Sequence, residues 1–130
     1  MSKDPFSDAY RRGIELFNRG EYFDAHEVWE DPWRGTQGDD RLFYQGLIQA
    51  AVALEHLCRG NRRSAATVWR NCRPKLVALP VHFMGMDLRS FVAAMEVALQ
   101  PALAPGAGAA AFDRSSAPII RIDSSHQGPQ

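Results

Sequence analysis

Cysteine is scarce in this chain: the 130 residues contain only Cys58 and Cys72. Their separation fits neither a C-x-x-C motif nor a zinc-knuckle motif, which argues against a cysteine-based redox or zinc site. We expect both to be buried thiols on helices, without a disulfide bond. The first five residues lack the apolar core of a signal peptide, so the sequence predicts a cytoplasmic protein.

A surplus of charge is also missing. The chain has 15 Lys and Arg residues against 15 Asp and Glu residues, and its pI is about 6.9. General binding of nucleic acids or anionic membranes needs a basic surplus. No apolar run is long enough to cross a bilayer. We therefore expect neither nucleic acid nor a membrane as a partner.

Several catalytic signatures are absent as well. The chain has no phosphate-binding loop, no dinucleotide fingerprint and no G-x-S-x-G motif around its serines. Nucleotide-dependent chemistry and serine hydrolysis therefore have no support in the sequence, and any site must be built from other residues.

Helical periodicity dominates what the sequence does contain. Apolar residues recur at helical spacing in five segments, and Gly or Pro lies between them. Pro32, Pro74 and Pro101 are expected to end or bend the helices that contain them. The predicted helices run from residue 6 to 18, from 21 or 22 to about 31, from about 40 to 58, from the cap at Asn61 toward Leu79 with a bend or end near Pro74, and from about 87 to 101; residues 79–85 are a connection. The third is apolar almost all round, which is typical of a helix in the middle of a bundle.

The predicted fold class is all-α, a compact bundle of about five helices with a flexible C-terminal tail. The helical bundle domain is placed at residues 1–100 and the linker and tail at 101–130, because residues 101–111 are largely Ala, Gly and Pro. Within the tail, residues 118–122 could form a short extended segment that docks on the bundle.

Two segments of the chain match each other at a spacing of 40 residues. In each, a Gly turn is followed by a small residue and then by Val-Trp, which indicates repeated helical hairpins of tetratricopeptide-like type. The Gly frees the turn, the Ala allows close helix approach, and the Trp fills the space between hairpins. The matched residues are Arg19-Gly20 with Arg59-Gly60, Ala25 with Ala65, and Val28-Trp29 with Val68-Trp69.

The richest chemistry lies between His26 and Arg34. On a helix, His26 and Glu30 are four residues apart and share a face. Trp29 and Trp33 lie on nearly the same side of that helix. The third helix carries a second polar stripe, made of Gln45, Gln49 and His56. Because a solvent-facing stripe normally holds charged residues, these uncharged side chains favour a neutral interior or a cleft between the second and third helices.

The two motifs together resemble the domain of unknown function 309 family, which is uncharacterised and prokaryotic. The first motif reads Phe17-Asn18, Gly20, Tyr22, Ala25-His26-Glu27, Glu30, Trp33-Arg34; the second reads Gln45-Gly46-Leu47-Ile48-Gln49, Ala51, Ala53, His56, Gly60-Asn61. The resemblance implies a compact all-helical domain, and some members are labelled predicted metal-dependent hydrolases. Pro32 departs from the residue usual at its position. The motif positions carried over are His26, Glu27, Glu30, Trp33, Arg34, Gln45, Gln49 and His56.

Two functions follow from these residues, and the sequence leaves both open. The first is a helical binding or scaffold module that presents a groove to a protein or peptide segment. The alternative is a metal-dependent hydrolase in which His26, Glu30 and His56 bind a divalent metal such as zinc, with Glu27 as base. Whether the protein is an enzyme, and its oligomeric state, are left open. A third interpretation is structural: the cluster could satisfy its own hydrogen bonds as part of the core.

Overall fold

The computed structural model describes residues 6–103, 112 and 114–123 of the chain. The all-α bundle predicted from the sequence is confirmed, with five α-helices in these ranges. One short β-hairpin and one 3-10 turn complete the described elements. They are α1 (Asp8–Asn18), α2 (Tyr22–Arg34), α3 (Gly38–Cys58), α4 (Arg62–Val77), β1 (His82–Phe83), β2 (Met86–Asp87), α5 (Leu88–Leu103) and the 3-10 turn (Arg114–Ser116).

Helix α3 is the centre of the bundle. It packs against α2 on one side and α4 on the other, and it also contacts α5. Its fully buried residues include Phe43, Leu47 and Leu54, in agreement with the central position predicted from its apolar surface. α3 has 21 residues, but neither it nor another helix in the described ranges combines the length and hydropathy needed to cross a membrane.

The two halves of the internal repeat have the same turn geometry. Gly20 and Gly60 have φ angles of 82° and 80°, in the left-handed region that favours glycine. In each turn, the N–H of the following residue donates back to a carbonyl of the preceding helix, from Glu21 to Leu16 at 2.9 Å and from Asn61 to His56 at 2.8 Å. These are Schellman-type helix ends. The structural repeat is therefore real at both turns, whereas the tetratricopeptide-like description stays a prediction.

The core positions of the repeat also correspond. Ala25 and Ala65 are fully buried, and Trp29 and Trp69 are 0% and 4% exposed, so the prediction that both tryptophans belong to the core is confirmed. A methyl side chain at the two alanines leaves room for a neighbouring helix to approach closely. The large indoles fill the space that remains between the helices.

Two helices continue past their prolines. α5 runs through Pro101 to Leu103, so the end predicted at Pro101 was wrong. α2 runs through Pro32 to Arg34, which excludes an end near residue 31, whereas the bend that was the other expectation for Pro32 stays a prediction. Each proline lies in the last turn of its helix. There the missing N–H removes only one hydrogen bond, and few helical residues follow it. The carbonyl left without a partner by Pro101 belongs to Val97, which is exposed and can be solvated.

The connection between α4 and α5 contains a two-stranded hairpin that the sequence analysis missed. His82 pairs with Asp87 and Phe83 with Met86 in antiparallel register. Met84 and Gly85 form the turn with positive φ angles of 50° and 78°. Two-residue strands are too short to show a periodicity of two, so only the tertiary structure reveals them.

Neither cysteine forms a disulfide bond, but the two differ in burial. Cys72 is buried and its thiol donates to the carbonyl of Gly46 at 3.1 Å. Burial raises the pKa of the Cys72 thiol to about 12, which keeps it protonated and unreactive. Cys58 is only half-buried, so the prediction that both thiols are buried was wrong for this residue.

The C-terminal segment 118–123 lies extended against the bundle. The side-chain amide of Asn18 donates to the carbonyl of Ile120 at 2.9 Å, and the Ile120 N–H donates to the Asn18 Oδ1 at 2.7 Å. The Ile120 side chain is 3% exposed. The predicted linker and tail at residues 104–111, 113 and 124–130 lie outside the described residues.

Candidate functional site

A cavity of about 300 Å³ opens between α2 and α3, beside the turn that follows α3. It lies where the sequence analysis placed a cleft, and both histidines of the predicted cluster line it. Most of its surface is apolar, with polar groups on several sides. The lining residues are Phe23, His26, Val52, Glu55, His56, Arg59 and Asn61.

The imidazole of His26 is held on the α2 side of this cavity. Its side chain is 17% exposed, and its ring lies 4.9 Å from the ring of Phe23 in an edge-on arrangement. Its Nε2 atom lies 3.7 Å from an Oε2 of Glu30, one turn further along α2. That distance is too long for a hydrogen bond, so the pairing predicted from the i, i+4 spacing is loose.

Four buried polar atoms on α2 and α3 have no hydrogen-bond partner among the described residues. They are Nδ1 of His26, Nδ1 of His56, Oε1 of Gln49 and Nε1 of Trp33. Buried polar groups are nearly always paired in native proteins, since an unpaired one costs about 1–3 kcal/mol. The self-satisfied network that the sequence allowed is therefore not formed at these atoms.

The opposite end of the α2–α3 interface is closed by a residue that the sequence analysis did not single out. The guanidinium carbon of Arg41 lies 4.2 Å from the centre of the Trp33 ring, a cation–π contact. The same guanidinium donates to the Trp33 carbonyl at 3.2 Å and to the Thr36 carbonyl at 3.5 Å. Arg41 thus ties the end of α2 to the start of α3.

The remaining predicted site residues lie apart from the cavity. Gln45 and Gln49 are half-buried on α3, toward the end where Trp33 lies, and they do not line the cavity. Arg34 is exposed and reaches Glu30 at 3.5 Å. Glu27 is exposed, so nothing in the geometry supports its predicted role as a base.

The structure adds residues that sequence reasoning missed. Phe23 is 47% exposed at the rim, an unusual exposure for an aromatic side chain. Glu55 and Arg59 form an ion pair at 2.7 Å. In the sequence, only the i, i+4 spacing of this acid and this base on either side of His56 could have predicted the ion pair.

The described residues do not assemble a three-ligand metal centre. No group of three or more His, Cys, Asp or Glu side chains among them is arranged to hold a metal ion. A catalytic zinc site needs three protein ligands within coordination distance. The predicted set of His26, Glu30 and His56 does not fit that requirement in this structure. The carboxylate that does line the cavity with both histidines, Glu55, is engaged by Arg59.

For the α2–α3 cavity we accordingly expect that His26→Ala leaves the zinc, manganese and iron content of protein purified without a histidine tag unchanged. The measurement is elemental analysis of the wild type beside His26→Ala. A metal present near one equivalent in the wild type and lost in His26→Ala would contradict this expectation and restore the hydrolase alternative.

The described fold has a counterpart among solved structures, and the sequence matches a known family. A crystal structure of a conserved hypothetical protein from Thermus thermophilus is 30% identical in sequence, with a TM-score of 0.65. The match covers 72% of this chain and 97% of the Thermus chain. The family described as "Domain of unknown function (DUF309)" matches residues 10–68. The chain belongs to the DUF309 family.

The part of the chain that matches the DUF309 family includes the cavity, but the family has no established activity that could be assigned to it. The matched residues 10–68 run from α1 into α4 and so include every residue that lines the cavity. An uncharacterised protein of Aquifex aeolicus (strain VF5) is 32% identical over 84 residues, or 64% of this chain. The chain spans about a quarter of the length of that protein (25%).

Proposed function

We propose that this DUF309 protein is a helical binding module that takes a hydrogen-bonding side chain of a protein or peptide partner into the α2–α3 cavity. The observation that carries the proposal is the pair of half-buried imidazoles, of His26 and His56, that line one cavity and whose buried Nδ1 atoms have no hydrogen-bond partner among the described residues. A rotation of each ring about χ2 turns its Nδ1 toward the cavity, where a ligand can pair it and remove the cost of leaving it unsatisfied.

The residues that line the cavity define which side chain of the partner can enter it. Each imidazole nitrogen can donate or accept a hydrogen bond, depending on its tautomer. Phe23 and Val52 offer apolar contact beside them. The fitting ligand is therefore a segment with an amide, hydroxyl or carboxyl side chain next to an apolar residue.

The volume of the cavity and its opening beside Phe23 fit a single side chain of the partner. Its volume of about 300 Å³ is at the lower end of the range for small-molecule pockets. The exposed ring of Phe23 stands at the rim, where it can cover a bound segment. Aromatic side chains are enriched at protein interfaces, which makes Phe23 a suitable contact residue for a bound segment.

The test is selection of binding peptides from a random display library against the full-length protein. We expect selected peptides to shift the NMR signals of the His26 and His56 imidazoles. The double variant His26→Ala/His56→Ala should bind these peptides about 30-fold more weakly, because two hydrogen bonds of about 1 kcal/mol each are lost.

His82→Ala is the matched control, since His82 is exposed on β1, away from the cavity. It should bind the selected peptides as the wild type does. The proposal fails if the double variant stays folded and binds the peptides unchanged, or if no selected peptide perturbs either imidazole.

The cytoplasmic location predicted from the sequence belongs to this proposal. Two cysteines without a disulfide bond, one of them half-buried, fit a reducing compartment. Fractionation of the native host cell, with antibody detection, tests the location directly.

A further inference from the structure

Helix α4 carries a stripe of residues with the spacing of a helix-packing surface on a side that is turned away from the core. Arg63, Ala66, Arg70, Arg73 and Val77 are separated alternately by three and four residues, so they follow one side of the helix. Ala66 is half-buried and the other four are exposed. The stripe is about 21 Å long, which is the length of about four helical turns.

A groove runs between this stripe and α5, and we call it the α4–α5 groove. Its floor is apolar and consists of buried side chains, among them Leu76, Leu88 and Val92. Val77 and Val81 also line the groove, but they are 53% and 39% exposed. Exposed apolar side chains that adjoin one another mark surfaces that can bury them against a partner.

The α4–α5 groove also has a local surplus of positive charge. Helix α4 contains five basic residues and no acidic one. Arg73 is paired with Glu96 of α5, whereas no ion pair in the described part of the chain involves Arg63, Arg70 or Arg89. The whole chain is neutral, with 15 basic and 15 acidic residues, so the surplus belongs to this surface. Charge complementarity favours an acidic ligand.

The groove fits a helix of a protein better than it fits a nucleic acid. The depression between two packed helices accepts a third helix, whose apolar side lies on the floor. A phosphate backbone offers no apolar counterpart for Val77 and Val81. None of the described residues that line the groove is aromatic, so it has no platform on which bases could stack.

We propose that the α4–α5 groove binds an acidic amphipathic helix of a separate protein partner. The apolar side of that helix contacts the floor and the two exposed valines, and its carboxylates pair with Arg63, Arg70 and Arg89. Exposed ion pairs are individually weak, so the apolar contacts supply much of the affinity and the arginines select for an acidic partner. The groove shares no lining residue with the α2–α3 cavity, and the proposal does not depend on the function proposed for that cavity.

The test measures binding of a fluorescein-labelled helical peptide to the full-length protein by fluorescence anisotropy. This Glu probe consists of two heptads with Leu at the a and d positions and Glu or Ala elsewhere. In a second, matched peptide, the Lys probe, every Glu is replaced by Lys. We expect the Glu probe to bind at least tenfold more tightly than the Lys probe. Its affinity should fall as the NaCl concentration is raised, because salt screens exposed charges.

Charge reversal on α4 shows whether the probe occupies the proposed surface. Arg63→Glu/Arg70→Glu should bind the Glu probe at least tenfold more weakly than the wild type, because two attractions become repulsions. Arg19→Glu/Arg121→Glu is the matched control, since it changes the net charge equally at two exposed arginines that do not line the groove. The control should bind the Glu probe much more tightly than the α4 variant does.

A second pair of variants tests the apolar contact. Val77→Ser should weaken binding of the Glu probe at least threefold, because it removes an apolar side chain from the groove. Ile119→Ser is the matched control, since Ile119 is 49% exposed and does not line the groove. It should bind the probe as the wild type does.

The proposal is overturned if Arg63→Glu/Arg70→Glu melts cooperatively, as followed by circular dichroism, and binds the Glu probe no more weakly than the control. Equal affinity for the Glu and Lys probes would also overturn it, as would a Val77→Ser variant that binds as tightly as Ile119→Ser. A wild-type dimer in sedimentation that dissociates in Arg63→Glu/Arg70→Glu would make a second copy the occupant, and the separate partner would be excluded.

Discussion

Trp29→Ala should lower the free energy of unfolding by about 3–5 kcal/mol, the range seen when a buried Trp or Phe is cut to alanine. Trp29 is 0% exposed and packs against Phe17, with ring centres 6.0 Å apart. Its Nε1–H donates to the carbonyl of Tyr10 at 3.2 Å. The substitution opens a large cavity and leaves that buried carbonyl without its indole donor.

Urea unfolding followed by circular dichroism measures the loss. Trp33→Ala is the matched control, because Trp33 is only half-buried and packs against the surface-reaching Arg41. We expect the control to cost about 1 kcal/mol, near the centre of the distribution for point mutants. A Trp29→Ala variant no less stable than Trp33→Ala would show that Trp29 does not carry the α1–α2 packing.

Gly13→Ala should destabilise the protein by about 1–3 kcal/mol, as overpacking of a core does. A Cβ atom at position 13 would lie 2.0 Å from Nε1 of Trp29 and 2.4 Å from its Cε2. Since the indole is fully buried, it cannot swing into solvent to make room. In an open helix the same change would stabilise by up to about 1 kcal/mol, so the clash reverses the sign of the effect.

A double-mutant cycle shows whether this clash is the cause. In a Trp29→Phe background, which removes Nε1, Gly13→Ala should cost at least about 1 kcal/mol less than in the wild type. Gly35→Ala is the control, because its nearest neighbour would be 3.8 Å from the new Cβ. Its effect should be close to neutral. Equal costs for Gly13→Ala in both backgrounds would contradict the proposed contact.

Much of the fold could be predicted because it depends on local patterns. The periodicity of apolar residues located all five helices, and the nearly continuous apolar surface of α3 identified the central one. The glycines at 20 and 60 marked two equivalent turns. The predicted cleft could also be located, since His26 and His56 occupy polar stripes on two helices that are adjacent in the bundle.

The rest of the site could not be predicted, because it depends on contacts between distant residues. Phe23 looked like an ordinary helix residue until the structure placed it at the rim of the cavity. Arg41 gave no sign that it stacks on Trp33 across a loop. The sequence also could not show that Nδ1 of His26 and Nδ1 of His56 have no hydrogen-bond partner among the described residues, because it does not show which neighbours come within hydrogen-bond distance.

The sequence by itself determined the all-α class, the positions of the helices, the repeated turns and the core tryptophans, since backbone propensity and burial periodicity act over a few residues. Only the tertiary structure decided that α2 passes through Pro32 and that Asn18 clamps the backbone of Ile120, 102 residues away. Those outcomes depend on packing between elements. A local pattern shows which face of a helix is buried, but it does not specify the atoms that the face meets.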